Sequence, residues 1–407
     1  MSEKKNPTRR AVLQTGTSLV AGCSLVESSH AELPMKHSNV YESIGVKPVI
    51  NATGTVTALG GSVMPPEVVA AWAEASRHFV DLVDLQDKVG AKIAKLIGVE
   101  AAMVTTGAAG AILLGAAAVI TRGDRKLIGR LPGTAGAKNE VIIQKSHHSC
   151  YDNQMTNVGV KLVTVEKEAD VEKCISDRTA LMFFMNHAEA DGSISLARWI
   201  ELARKHRIAT LLDAAADVPP LSRLTEYTRM GFDLVAFSGG KAIRGPNDTG
   251  LLLGRKDLIE FAKLNANPYC GTIGRMMKVG KEDMIALLSA VERFVSMDHE
   301  SEWREFERRI AVIEAAVQAI PSVQCERIVP DKANHVPHLQ LAWGEAKVRT
   351  TPAKVTKALA EGEPSIRIGR VSGTGDKGIL ISVLTLQKGE ERVVADRLVA
   401  ILKKAAE

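Results

Sequence analysis

The sequence is poor in aromatic residues, which make up 4% of its 407 positions. A surface that binds single-stranded nucleic acid by stacking bases needs more of them. Excess positive charge is also small. Of the net +5, residues 1–31 hold Lys4, Lys5, Arg9 and Arg10 against Glu3 and Glu27, so the rest carries only +3. A nucleic-acid footprint requires clustered cations, and no nucleic-acid partner is expected. The five cysteines, Cys23, Cys150, Cys174, Cys270 and Cys325, lie at neither zinc-ligand nor redox-motif spacing. The last four read as buried thiols. No fixed-period repeat is present, which disfavours a solenoid.

What is present suits a large folded enzyme. At 45% hydrophobic and 24% charged, the chain can bury a sizeable core and is expected to form two lobes. The order Thr8-Arg9-Arg10-Ala11-Val12-Leu13, followed by an uncharged stretch to Val26, is that of an export signal of the twin-arginine type; a disordered basic tail is the alternative. That stretch is too short and too interrupted by Gln14–Ser18 to span a membrane, which takes about 20 apolar residues. Two cleavage sites compete. Val20-Ala21-Gly22-Cys23 would leave a lipid anchor on Cys23, and Ser29-His30-Ala31 suits ordinary signal peptidase. The expected location is the periplasm or cell envelope, or the cytoplasm if the N-terminus is not a signal.

Beyond a Gly- and Thr-rich arm with a short strand at Val49-Ile50, helices are expected from Pro65-Pro66 and from about Asp81 to Ile97. From Ala101 the pattern is strand, glycine turn, helix, repeated: Ala101–Thr105, Val141–Gln144, Lys161–Val165, Ala180–Met185, Ile208–Leu212 and Asp233–Phe237 read as strands. Alternating elements predict an α/β fold with a mostly parallel sheet covered by helices. Long charged helices from Glu282 and Glu300, then short strands and a helix from Glu390, predict a smaller C-terminal α/β domain. The expected division is 1–31 export signal, 32–62 N-terminal arm, 63–275 large domain and 276–407 small domain.

The apolar run Leu234–Phe237 breaks at Ser238-Gly239-Gly240 to deliver Lys241, and a second run, Leu251–Leu253, follows. A lysine held between buried strands is pushed toward its neutral amine, the form that makes a Schiff base with an aldehyde cofactor. From this stretch alone, a surface-loop lysine fits equally. Asp213 decides between them, standing at the C-terminal end of the buried strand Ile208–Leu212, where α/β sheets bind ligands. Pyridoxal phosphate requires a carboxylate opposite its pyridine nitrogen. The pair is more specific than either residue.

Thr106, Gly107 and Ala108, between a strand and an apolar helix, are a plausible seat for the cofactor phosphate. Ser238 can donate to the same group. His147 follows the strand Val141–Gln144 and is a candidate to stack on the pyridine ring and touch the substrate, though a lone histidine is commonly structural. Asn186 and His187 are candidates for the phenolic oxygen.

The segments INATGTVTALGG, VTTGAAGAI, LLDAAADVPP, FSGGKAIRGPNDTGLLLGRKDLI and GRMMKVGKEDM resemble the selenocysteine-synthase-like family of fold-type-I pyridoxal phosphate enzymes across residues 40–400. The resemblance implies that Lys241 is the Schiff-base lysine, that Asp213 is the pyridine-nitrogen carboxylate, and that Arg275 and Lys278 form a basic block near the site. It also implies a homodimer or higher homo-oligomer. The family holds selenocysteine synthases and relatives similar to D-glucosaminate-6-phosphate ammonia-lyase. No tRNA-binding domain is expected between signal and arm, so a lyase acting by α,β-elimination on an amino acid or amino-sugar acid is the favoured expectation. The alternatives are a transferase, either an aminotransferase or a β-replacement enzyme, and a cofactor-binding scaffold without turnover. An arginine clamp is expected for the substrate carboxylate, with Arg367 the candidate and Arg244 and Arg370 alternatives.

Overall fold

Successive residues of the central strands alternate between two hydrophobic cores, the period-two pattern of a sheet covered on both faces. Ile142, Met182, Phe184, Leu212, Val235 and Phe237 face one core, while Val141, Ile143, Leu181, Phe183, Leu211 and Leu234 face the other. The computed structural model describes residues 39–370 and 378–406. The chain divides into two units at Pro48/Val49. In the first, the described residues hold a 3-10 turn, Glu42–Ile44, closed by Gly45 in the left-handed region. Everything below concerns the second unit.

Its strands, in chain order, are β1 (Val49–Ala52), β2 (Ala101–Thr106), β3 (Glu140–Gln144), β4 (Lys161–Val165), β5 (Thr179–Met185), β6 (Ala209–Asp213), β7 (Leu234–Ser238), β8 (Thr249–Gly254), β9 (Val323–Ile328), β10 (His338–Trp343), β11 (Ser365–Arg370) and β12 (Gly378–Ser382). Seven of them form the larger sheet in the order β2-β8-β7-β6-β5-β3-β4. The run from β7 through β6, β5, β3 and β4 is parallel, whereas β8 runs antiparallel to both β2 and β7. Thus the carboxyl ends of β2, β5, β6 and β7 share one edge with the start of β8. Parallel strands of this kind are joined by helices, and the chain supplies helices such as Gly107–Thr121 and Leu196–His206.

The helix Gly107–Thr121 is buried along nearly its whole length in the second core. Leu82–Ile97 begins at Asp81, whose carboxylate accepts hydrogen bonds from the backbone N–H groups of Val83 and Asp84. The opposite core takes in Val89 and Ile93 of this helix and Met284, Leu287, Val291 and Phe294 of the helix Lys281–Ser296. By core membership, Lys281–Ser296 therefore packs with the larger sheet, although the sequence suggested a division at 275. Its apolar stripe matches that sheet, and its charge is on the opposite face.

The smaller sheet has the order β1-β11-β12-β10-β9. Strand β1, expected in an arm, pairs in parallel with β11, Val49 beside Ser365. A third core joins Ile50 and Ala52 to Phe306, Ile310, Leu398 and the inward residues of β10–β12. No helix among the described residues is long and apolar enough to cross a membrane. The predicted signal, with Cys23, lies outside the described residues. Cys150 and Cys270 are exposed and Cys174 and Cys325 half-buried, all four free. The expectation of four buried thiols fails because Cys150 and Cys270 fall in turns rather than in packed elements.

Candidate active site

At the shared strand edge the larger sheet opens into a cavity of about 410 Å³, within the usual range for cofactor sites. Strand ends and the turns that follow them line it: Gly107, Ala108 and Ala109 after β2, His187 after β5, Asp213 and Asp217 from β6, Ser238 and Lys241 from β7. Tyr151 and Asn334 also line it.

Lys241 sits in the turn between β7 and β8. Burial lowers its pKa below the ordinary lysine value, against the pull of the Asp213 and Asp217 carboxylates. Asp213 shows the converse. Burial raises its carboxyl, opposed by a 3.0 Å hydrogen bond from the Ala215 N–H and by the charges of Lys241 and His187. Burial among the apolar ends of β6 and β7 shifts both groups toward their neutral forms, and the charge of each partly offsets the shift of the other. A cationic ring nitrogen is what this under-compensated carboxylate lacks.

The phosphate end is backbone chemistry. Gly107, at φ 64°, begins the helix Gly107–Thr121 in the left-handed region that glycine alone enters freely. This opens the first N–H groups of that helix toward the cavity, where the helix dipole favours an anion. The Thr106 side chain does not cap the helix, and its Oγ1 is buried with no hydrogen-bond partner. The open amides and the Ser238 hydroxyl line the cavity and fit a phosphate, whereas Thr106, expected at the site, does not line it. Together with Asp213 and Lys241, the residues present match pyridoxal phosphate at both of its polar ends.

Beside this, Asp217 is almost fully buried. It accepts hydrogen bonds from the side chains of Asn186 and Tyr227, the latter at 2.8 Å, and from the Ala333 N–H. The Asn334 N–H donates to the Ala216 carbonyl at 2.8 Å. Ala333 and Asn334, both at positive φ, thus bring the β9–β10 connection of the smaller sheet onto the cavity wall.

Several sequence candidates lie elsewhere. His147 is fully buried away from the cavity. The 3-10 turn Lys145–His147 swings its ring edge-on to Phe184, 4.4 Å between centroids, and its Nδ1 accepts from the Met185 N–H. Burial holds its pKa down at about 4, aided by His187. The histidine at the cavity is His187 because β5 adjoins β6, whereas β3 stands one strand further out. Asn186 points to Asp217 instead of into the open space. Arg367 is exposed, since Ile366 and Ile368 on either side take the inward positions of β11. Arg275 and Lys278 are exposed and off the cavity. The side chain of Arg370 lies outside the described residues. Tyr151, Asp217 and Asn334 were missed; an aromatic just past β3 and a second aspartate four residues after Asp213 were the available signals.

Comparison with known proteins agrees with this architecture. The Aminotransferase class-V family matches residues 79–280. The chain is 28% identical to the D-glucosaminate-6-phosphate ammonia lyase of Salmonella typhimurium, over 91% of this chain and 99% of that one. A solved structure of D-glucosaminate-6-phosphate ammonia-lyase superposes with a TM-score of 0.78 at 26% identity, again covering 91% and 99%. The 5'-C-glycyluridine monooxygenase-decarboxylase of a Streptomyces species is 29% identical over 81% of this chain and 84% of its own. The L-seryl-tRNA(Sec) selenium transferase of Desulfomicrobium baculatum is 28% identical over 61% and 56%. A serine palmitoyltransferase with a pyridoxal phosphate internal aldimine shares the fold, with a TM-score of 0.55 at 15% identity over 87% of each chain. On fold, site chemistry and relatives together, the chain is a fold-type-I pyridoxal phosphate enzyme of the lyase or transferase kind, resembling the selenocysteine-synthase-like family and, in type, its ammonia-lyase relatives.

Proposed function

We propose that the enzyme removes ammonia from an amino acid or amino-sugar acid by α,β-elimination, with Lys241 as both the cofactor's attachment point and the base. The observation that carries this reading is that one cavity joins Lys241, Asp213 and the open helix N-terminus at Gly107. Near full-length similarity to an ammonia lyase supports the reaction class.

Pyridoxal phosphate bound here supplies an electron sink beside the substrate's α-carbon. The residues do the rest. Asp213 would accept a hydrogen bond from the cofactor's protonated ring nitrogen and so keep that charge in place. The amides of Gly107–Ala109 and the Ser238 hydroxyl hold the phosphate. Lys241, its amine already pushed toward neutrality, would be the base that takes the proton from the substrate's α-carbon. With the α C–H bond broken, a Cα=Cβ double bond would form as the β-substituent leaves with the electron pair of its bond, a hydroxyl taking up a proton and departing as water. Water then releases the nitrogen as ammonia and leaves a keto acid. Tyr151, on the cavity lining, would be the aromatic side chain to stack on the cofactor ring.

The export reading of residues 1–31 supports work in the periplasm or cell envelope, and fractionation of cells expressing wild type and an Arg9→Lys/Arg10→Lys double variant tests it. A homo-oligomer is part of the same proposal, read by light scattering of the purified protein.

The main test is spectroscopic and chemical. Purified wild type should show a visible absorption band that borohydride abolishes, and Lys241→Ala should lack it. Absence of the band in wild type sinks the cofactor reading. Incubation with D-glucosaminate 6-phosphate and with a panel of amino acids should then release ammonia and keto acid in equal amounts, with no acceptor added. A requirement for a keto-acid acceptor or an incoming nucleophile would make the enzyme a transferase.

A further inference from the structure

The described residues include eight histidines, and seven of them engage a ring nitrogen. Carboxylates partner His78, His148 and His206, the Met185 N–H partners His147, and backbone carbonyls partner the other three. The ring of His187 has no hydrogen-bond partner among the described residues, and His187 is the histidine that lines the cavity.

Strand β5 places it there. Met185, the last residue of β5, pairs with Asp213, and the 3-10 turn Asn186–Asp191 carries His187 just past that pair. The two side chains are close enough that the charge of the imidazole lowers the Asp213 carboxyl, against the burial that raises it. Asn186 beside it turns away to Asp217, so of these two neighbours only the imidazole is left uncommitted at the opening.

Elimination of a hydroxyl needs an acid, because the departing oxygen must take a proton as its bond to the β-carbon breaks. Besides His187, the titratable side chains on the cavity are Tyr151, Asp213, Asp217 and Lys241. Lys241 takes the proton from the α-carbon and Asp213 faces the ring nitrogen. Asp217 is already an acceptor, of the Tyr227 hydroxyl and the Ala333 N–H. Tyr151 offers a phenol, ordinarily a weaker acid than an imidazolium by about 1,000-fold or more.

We propose that His187 is the acid of the elimination and that the substrates are β-hydroxy amino acids, open-chain amino-sugar acids included. Its imidazolium gives a proton to the β-hydroxyl, which departs as water with the electron pair of the Cβ–O bond while the Cα=Cβ bond forms. The neutral imidazole regains a proton from solvent, to which Lys241 returns the one it took. This rests on the reading of the enzyme as an ammonia lyase.

The test varies the leaving group. D-serine, L-serine and D-glucosaminate 6-phosphate lose hydroxyl, whereas D- and L-3-chloroalanine lose chloride, which departs as a stable anion without a proton. Initial rates of keto-acid release are measured for wild-type and His187→Gln holoenzyme, and cofactor affinity of both apoproteins by equilibrium dialysis. The variant should be slower by about 100-fold or more on the hydroxy substrate, the lower end of what a positioned acid contributes. Its chloroalanine rate and cofactor affinity should stay within a few-fold, and retained affinity guards against misfolding. Hydroxy and chloro substrates slowed alike overturn the proposal. So does an unchanged hydroxy rate, which leaves Lys241 to pass its own proton on. Cofactor affinity lowered by about 10-fold or more, the scale of a lost hydrogen bond, assigns His187 to the phenolic oxygen and overturns it too. If wild type takes hydroxy substrates alone, added imidazole decides: it should speed His187→Gly about 10-fold or more, and no rescue overturns the proposal. Wild type that acts only on chloroalanine expels no hydroxyl, which overturns the proposal and leaves the lyase reading standing. Wild type that acts on neither kind ends both.

Discussion

Gly250 in β8 and Gly107 at the head of the helix Gly107–Thr121 approach so closely that a methyl group on Gly250 would lie 2.2 Å from the Gly107 carbonyl carbon and 2.7 Å from the Ala108 nitrogen. Both neighbours are backbone, so the helix head itself must shift to admit a side chain. The strand thus sets the height of the phosphate-binding amides over the sheet.

Gly250→Ala should therefore weaken the cofactor more than the fold. Overpacking of this kind costs about 1–3 kcal/mol, and displacement of the amides should lower pyridoxal phosphate affinity about 10-fold or more. Equilibrium dialysis of the apoprotein against the cofactor measures this, and unchanged affinity would show that the amides at Gly107 are not the phosphate site.

Asp213→Asn should separate stability from activity. Burial raises the Asp213 pKa, so the folded apoprotein binds more protons there than the unfolded chain. Its stability contribution is then highest below the unfolded carboxylate value, falls as pH rises toward the folded pKa and stays low above it. The amide removes that decline, so the variant apoprotein should be more stable than wild type near neutrality, as read from urea midpoints across pH. Turnover should fall about 100-fold or more, the scale of losing a preorganised charge.

His147 should control acid stability without controlling catalysis. Its folded pKa of about 4 lies below the ordinary 6.5, so the unfolded chain binds the proton first. Stability present above pH 6.5 is lost as pH falls toward 4, by up to about 3 kcal/mol at about 1.36 kcal/mol per unit. His147→Asn should flatten that limb in a urea titration and keep turnover within a few-fold; a collapse of turnover in a folded variant would return His147 to the site.

Asp217→Ala removes the acceptor of the Tyr227 hydroxyl and the Ala333 N–H and leaves the Asn186 amide only the Tyr227 hydroxyl, at 2.8 Å. Unsatisfied buried groups cost about 1–3 kcal/mol each, so a loss of about 3 kcal/mol or more is expected in chemical denaturation. Hydrogen exchange should rise at Ala333 and Asn334 before it rises in β6.

The sequence made β2–β8 legible because these strands are short apolar runs alternating with helical segments, with glycine beside β2, β7 and β8, and Lys241 and Asp213 because a charge ending such a run is conspicuous. It also gave Asp81 as a helix start within one residue. His147 was misplaced for a geometric reason: strand order, which puts β5 beside β6 and β3 beyond it, is a long-range property that no local pattern encodes. Strand β9, with alternate exposed residues such as Gln324 and Glu326, carries too little hydrophobicity to announce itself. Asn334 reaches the cavity on the β9–β10 connection, where its immediate neighbours Lys332, Ala333 and His335 carry no periodic pattern.

The parallel pairing of β1 with β11 imposes an order on synthesis. Val49 is made early, yet its partner Ser365 comes near the end, and the Asn51 carbonyl waits for the Thr385 hydroxyl, 334 positions on. At 5–20 residues per second the nascent strand stays unpaired for about 15–60 s. The seven-stranded sheet, complete by Gly254, can close during that time, so the part of the chain bearing Asp213 and Lys241 is available to capture cofactor before the lobe carrying Asn334 exists to cover it.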